Sequence, residues 1–262
     1  MPITIENRRD FVFNVTKLSL WLADKYCNNG LSFDKALTQA TPVYRFTTLW
    51  DGTNHPANGY ADKKWNNILN KLNNLRLQNK DIENFETEGL KLLLPYLEPR
   101  CSIDVKAWPW IPSAFGTTVI EQRVYGMFLY ELTEDNKLNL HMGNIFAPKS
   151  PFENPKLLKE DFRKLLEDVL RKEKNVKQIV CESWMNNFKP FLLLFPKEWF
   201  NNSLETNMKN YTYDVWGQMM NRFGGYNKPN GDYLRKNGKF PYPSIKCESS
   251  IKSILAYLHI KK

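Results

Sequence analysis

The 262 residues are 42% hydrophobic, enough for a sizeable core in one large domain or two small ones. Thirty-seven Lys and Arg against 28 Asp and Glu leave a formal charge of +9, scattered along the chain, which favours anionic partners. With no zinc-finger spacing, no basic helix and no RNP-like aromatic strand, nucleic acid is set aside, and four separated cysteines without a C-x-x-C pair point to a reducing cytoplasm.

The opening MPITIENRRDFVFNV interrupts its apolar residues with Glu6, Arg8, Arg9 and Asp10, so no signal-peptide core is expected. No later run reaches membrane-spanning length, and no membrane partner is expected. From Asp10 to Lys25, Phe11, Val12, Val15, Leu18 and Leu22 recur at three- and four-residue steps, which predicts a helix. Ser32 caps a short helix through Ala40, which Pro42 ends. Leu49 to Tyr60 reads as a loop by its Gly, Pro and Asn content. Trp65, Ile68, Leu69, Leu72 and Leu75 mark another helix, and Glu88 to Leu97 a further one that stops before Pro99. Residues 1–104 therefore read as a helical N-terminal subdomain or cap.

The connector VKAWPWIPSAFG, Val105 to Gly116, is expected to lack regular structure. Val119 to Leu132 and Leu138 to Met142 have strand composition, joined by Glu134-Asp135-Asn136-Lys137, whose Asp and Asn favour a hairpin turn. Lys156 to Lys172 places its apolar residues on one stripe, an amphipathic helix, and Ile179 to Met185 is a short apolar strand. Trp216-Gly217-Gln218 and Gly224-Gly225 suggest a strand pair with a tight turn, and a helix from Ser249 to His259 follows. Residues 105–262 read as one α/β domain, and the fold class is α+β.

Within that domain, Leu138 to Gly143 as a central strand, Asn144 to Ser150 as its loop, Lys156 to Lys172 as a helix and CESWMNNFKPFLLLF as the next strand and helix together resemble the back half of the GNAT acyltransferases. The His141 strand end and the Cys-x-Ser-Trp strand look like those of an uncharacterised GNAT-related C-terminal domain found in bacteria. The resemblance covers about a third of the chain. It implies that the helical N-terminal part is followed by a GNAT-like mixed sheet with flanking helices, the resemblance itself lying within about residues 119–199. It also implies an acyl-CoA or acyl-phosphopantetheine thioester, bound in the splay beside the central strand, as acyl donor. In the family, the loop after the central strand offers N–H groups to the donor's diphosphate; the matching residues are Asn144, Ile145, Phe146, Lys149 and Ser150. This loop contains no glycine, where the family's carries Gln/Arg-x-x-Gly-x-Gly/Ala. A partial match, Arg123 to Phe128, lies in an earlier strand.

His141 alternates with Leu140 and Met142 and shares a side with Asn139. An imidazole there suits deprotonation of an amine or hydroxyl acceptor, and a histidine bonded into a strand end for structure fits the same place. Glu182 or Glu131 is expected to support it, a salt bridge at the sheet edge being the other role for Glu182. Cys181, in an apolar strand, reads as a packed small hydrophobe. Trp50, Asp51 and His55, in a polar aromatic loop, and Trp108 and Trp110, in the connector, are candidates for an acceptor pocket; anchoring to the core serves them equally. Cys27 followed by His141 matches the order of a papain-like thiol enzyme, although a helix C-terminus raises a thiol's pKa. The isolated His55, His141 and His259 supply no metal-ligand spacing, and no Walker loop, G-x-S-x-G elbow or dinucleotide fingerprint occurs.

The functional expectation is an acyltransferase that moves an acyl group from a CoA or carrier-protein thioester, the carrier being acidic, to a small-molecule amine or hydroxyl acceptor. Two alternatives stay open: a non-catalytic protein that binds a small molecule or partner, and a cysteine-dependent acyltransferase or amide ligase using Cys27.

Overall fold

The computed structural model describes residues 3–116, 124–206 and 211–259. Its main elements in chain order are α1 (Ile5–Asn28), α2 (Phe33–Ala40), α3 (Lys63–Gln78), α4 (Ile82–Ala107), β1 (Val124–Tyr125), β2 (Phe128–Leu132), β3 (Leu138–Met142), α5 (Pro155–Lys172), β4 (Gln178–Ser183), β5 (Leu204–Glu205), α6 (Lys228–Asn237), β6 (Ile245–Ser250) and α7 (Ile251–Leu258). The chain is α+β, with a helical N-terminal part and a six-stranded mixed sheet. Two units form: residues 1–118 with 209–241, and residues 119–208 with 242–262. A single cut near 104 would fall inside α4.

In the first unit, acidic and hydroxyl side chains start the long helices by taking up free N–H groups. Thr4 accepts from Asn7 N, Asp62 from Lys64 and Trp65 N, and Asp81 from Glu83 N. Arg8 near the start of α1 bonds Asp104 near the end of α4, while Leu20 abuts Gly89, so the two helices run antiparallel. A Cβ on Gly89 would come 2.8 Å from Leu20 Cδ1, so the bare glycine permits this approach.

The helix expected to stop before Pro99 continues to Ala107, with Pro95 and Pro99 inside it. Both prolines and Lys91 are exposed, so the carbonyls of Lys91 and Pro95 that lose a helical partner can bond water. The opposite stripe, Leu93, Leu97, Cys101 and Asp104, is buried. Residues 105–116 are not wholly irregular, since Pro112–Phe115 forms a helical turn.

The strand pair expected around Trp216 and Gly224 is absent. Tyr213–Trp216 and Gly217–Met219 are helical turns, and one bridge, Met220↔Tyr226, stands where a ladder was expected. Asn221 explains this: its Oδ1 accepts from Phe223 and Gly225 N and its Nδ2 donates to Tyr226 O, closing a loop in place of a hairpin. This segment joins the first unit through Arg235, whose two Nη groups donate to Glu86 at 2.8 and 2.7 Å.

The second unit is built on the sheet order β1-β2-β3-β4-β6-β5. Asn136, at φ 58°, supplies the left-handed residue of the β2–β3 turn, and Thr133 N donates to Lys137 O at 2.9 Å. The sequence from Val124 to Leu132 is not one strand, because Gly126 turns the chain at φ 56° to make the β1–β2 hairpin. Residues 119–123 of that expected strand lie outside the described residues. Only β3 and β4 are parallel, with α5 as their crossover. One sheet face carries Phe128, Tyr130, Leu138, Leu140, Ile179, Cys181 and Cys247. It is buried against Phe162, Leu165, Leu166 and Val169 of α5, Ile254 and Leu255 of α7, and Phe191, Phe195 and Trp199. Cys181 is therefore a core residue, as its apolar surroundings suggested.

Candidate active site beside the central strands

Alternation along the strands puts Leu129, Glu131, Asn139, His141, Val180 and Glu182 on the sheet face opposite α5. Glu131 stands across from Asn139 and Leu129 across from His141. This register brings His141 Nε2 to 2.9 Å from Glu131 Oε1, and Asn139 Nδ2 donates to the same oxygen at 2.9 Å. All three side chains are half-buried. The hydrogen bond from His141 holds the Glu131 carboxyl below the usual glutamate range; burial opposes it, and the charge of a protonated ring and the Asn139 amide add to it. Glu131 is therefore ionised at neutral pH and accepts from Nε2–H. Among the described residues Nδ1 has no partner, so in a neutral ring whose Nε2–H faces Glu131 the free lone pair is on Nδ1.

The two central strands share a register only at Leu138↔Ile179 and Asn139↔Val180. Beyond those pairs β3 continues along β2, and β4 continues along β6. The strands part after Asn139 and Val180, two residues before His141 on one side and Glu182 on the other. A parted pair leaves ladder groups facing a gap, where an extended ligand can add its own amides. Glu182 stands opposite Lys246 and is not a partner of His141, so of the two carboxylates expected to support the histidine, Glu131 takes that place. Beyond the end of β4, Trp184, Phe188 and Tyr242 gather with ring centres 4.8 to 6.2 Å apart. Their pairing joins chain segments more than fifty residues apart, so no local pattern announces it.

The loop after β3 spends four of its N–H groups internally. Ile145 N donates to Gly143 O, Phe146 N to Asn144 Oδ1, Lys149 N to Phe146 O and Ser150 N to Glu153 Oε1. Asn144 Nδ2 also donates to Lys149 O at 3.1 Å. Residues 144–150 therefore form a self-bonded turn, whose N–H groups do not fit a diphosphate in the manner expected of this loop. Asn154 and Pro155 start α5 in the same closed way, with Asn154 accepting from Leu157 N.

The aromatic candidates belong to the first unit. Trp50 is 3% exposed, Trp110 8% and His55 2%, so these are core side chains, while Trp108 is half-buried. Asp51 is exposed and accepts from Thr53 and Asn54 N, bonds that hold its carboxyl down at about 2. Cys27, in the last turn of α1, has its thiol pushed up by burial; Arg76 opposes this and Asp24 adds to it. A thiol so placed is not an activated nucleophile.

Among the described residues no three His, Cys, Asp or Glu side chains converge to hold a metal ion, and no helix is long and apolar enough to cross a membrane. A hollow of about 590 Å³ lined by Asp135, Lys137, Lys177 and Gln178 lies at the other end of the sheet, away from His141. Comparison with protein-family models, curated proteins and solved structures finds no match to this chain.

Proposed function

We propose that the second unit is an acyltransferase in which His141 is the general base. The observation that supports this reading is the placement of His141 at the point where β3 and β4 part, with Nε2 tied to Glu131 at 2.9 Å. An ionised carboxylate behind Nε2 fixes the tautomer and stabilises the ring once Nδ1 has taken a proton. The gap between the strands suits the amide-bearing pantetheine arm of a donor, which would bring a thioester carbonyl for attack by an amine or hydroxyl; the new C–N or C–O bond replaces the C–S bond, and the pantetheine thiol leaves with the proton returned from His141. Removing the acceptor's proton at Nδ1 is the step assigned to this chain's residues. The closed 144–150 turn leaves the nucleotide end of CoA without its expected contact, so the pantetheine arm would provide the binding.

Isothermal titration with acetyl-CoA and with free CoA tests this reading. Micromolar binding of either supports a donor site, and loss of that binding on placing Trp at Gly143, beside the gap, locates it. If CoA, acetyl-CoA and a pantetheine thioester all fail to bind at millimolar concentration, the acyltransferase reading is lost.

A further inference from the structure

The first unit buries more positive charge than it neutralises. Arg8 and Arg100 lie in its interior and share one buried carboxylate, Asp104, while Arg45, partly buried, adds a third charge that feels that of Arg100. Arg8 takes most of it, with Nε and Nη2 both on Asp104 Oδ2 at 3.0 and 2.5 Å. Arg100, 5% exposed, lies with Nε 3.5 Å from Asp104 Oδ1, and its Nη1 donates to Trp50 O at 3.0 Å. Arg45 donates from Nη1 to Ala114 O at 2.9 Å. Their guanidinium centres lie 5.3 and 4.5 Å from the Trp50 ring.

At that indole, Arg45 Nε, Arg100 Nε, Arg100 Nη2 and Trp50 Nε1 are buried without a hydrogen-bond partner among the described residues, and so is Nε2 of His55, whose ring feels the charge of Arg45. Every one is an N–H donor. His55 qualifies because its Nδ1 accepts from Ala57 N at 3.1 Å, and burial, with Arg45 adding to it, drives its pKa down to about 3. The ring is therefore neutral with its proton on Nε2. Buried donors without acceptors are rare in folded proteins. Here they gather about two guanidinium groups, of which Arg100 shares the one carboxylate of Asp104 with Arg8 and Arg45 has none among the described residues, and together they describe the complement of an oxyanion. Arg45 is the one member only partly buried, which gives the cluster a route to solvent.

We propose that Arg45, Arg100, Trp50 and His55 bind a phosphate-type oxyanion, either free or as the terminal group of a phosphomonoester. The N–H donors outnumber what a carboxylate's two oxygens accept with good geometry, and a tetrahedral oxyanion offers more. This site does not depend on the acyltransferase reading of the other unit.

Thermal unfolding and isothermal titration at constant ionic strength test it, with inorganic phosphate and glycerol phosphate as probes and chloride as the reference salt. Phosphate is expected to raise the midpoint. Arg45→Met and Trp50→Phe are expected to weaken phosphate binding about tenfold or more, since each removes a donor to an anion. Arg222→Met, at an exposed arginine, is expected to leave it unchanged. Arg45→Lys, which keeps the charge without the fork, serves if the methionine variant does not fold, and should weaken binding too. Response to phosphate alone identifies a free ion, and response to both probes identifies the ester's phosphate group. No response to either probe, or a response equal in Arg45→Met or Arg45→Lys and in the unaltered chain, overturns the proposal.

Discussion

Arg8 of α1 and Asp104 of α4 meet at 2.5 Å with both side chains fully buried. Ser113 completes the group, its Oγ donating to Asp104 Oδ2 at 2.6 Å and its N to Oδ1 at 3.2 Å. Burial alone would lower the arginine's pKa; Asp104 and the Tyr213 hydroxyl outweigh it and hold the pKa above its ordinary value. Removing one partner strands the other charge, which costs about 3–5 kcal/mol in buried pairs. Arg8→Met is expected to lower the unfolding free energy of the first unit by that amount in urea titration. A loss under 1 kcal/mol would show that water reaches Asp104.

The Glu131–His141 pair predicts two unequal losses. His141→Ala should lower turnover about 10²- to 10⁴-fold, the usual worth of a positioned base, while thioester affinity stays within about twofold. Glu131→Gln keeps the ring but not the carboxylate that orients it, so a smaller fall in turnover than in His141→Ala is expected. Equal activity in His141→Ala and the unaltered chain would remove the histidine from the chemistry.

His55 predicts a pH dependence of stability. Its pKa falls from 6.5 in the unfolded chain to about 3 in the folded one, so between those values the unfolded state binds the extra proton and folding weakens as pH drops. From pH 7 to pH 5 the single group accounts for roughly 2 kcal/mol at about 1.4 kcal/mol per pH unit below 6.5. Comparing urea midpoints of the unaltered chain and His55→Gln at both pH values isolates this share. Parallel losses in the two proteins would show that His55 is protonated in the folded state.

Gly126→Ala tests the β1–β2 turn. A Cβ there would fall 1.8 Å from Asp161 Oδ2, and the φ of 56° disfavours an L residue. The two effects together should destabilise the second unit by about 1–3 kcal/mol. Shortening the neighbour in an Asp161→Ala, Gly126→Ala double variant should recover part of the loss, leaving the backbone share. Thermal melts of the three variants give the separation.

Much of the fold was legible where local signals coincide with burial. The stripe from Lys156 to Lys172 and the Asp135-Asn136 turn behave as their residue chemistry implies, and Ser32 takes the N-cap position of α2 although its side chain makes no capping hydrogen bond. β6 escaped because its inward residues after Ile245 are Cys247 and Ser249, and serine gives no apolar signal to a strand that the neighbours β4 and β5 impose. The length of α4 was hidden by two prolines whose exposure could not be read locally. At the candidate site, His141 and Glu131 were visible as residues, but their pairing depends on hairpin register. The self-bonding of the 144–150 loop rests on Asn144, whose Asx-turn hydrogen bond no glycine pattern marks. The cluster around Trp50 brings together residues 45, 50, 55 and 100, and no spacing in the sequence marks their meeting.

The sheet of the second unit has a consequence for how the chain is made. β6 lies between β4 and β5, yet it is synthesised after both and after residues 209–241, which belong to the first unit. As the chain leaves the ribosome, β4 and β5 therefore emerge with their mutual neighbour still missing, and each presents an open edge until residues 245–250 appear. Closure of the sheet is a late event set by translation, and a stall between residues 206 and 245 would leave those edges open to association with other chains.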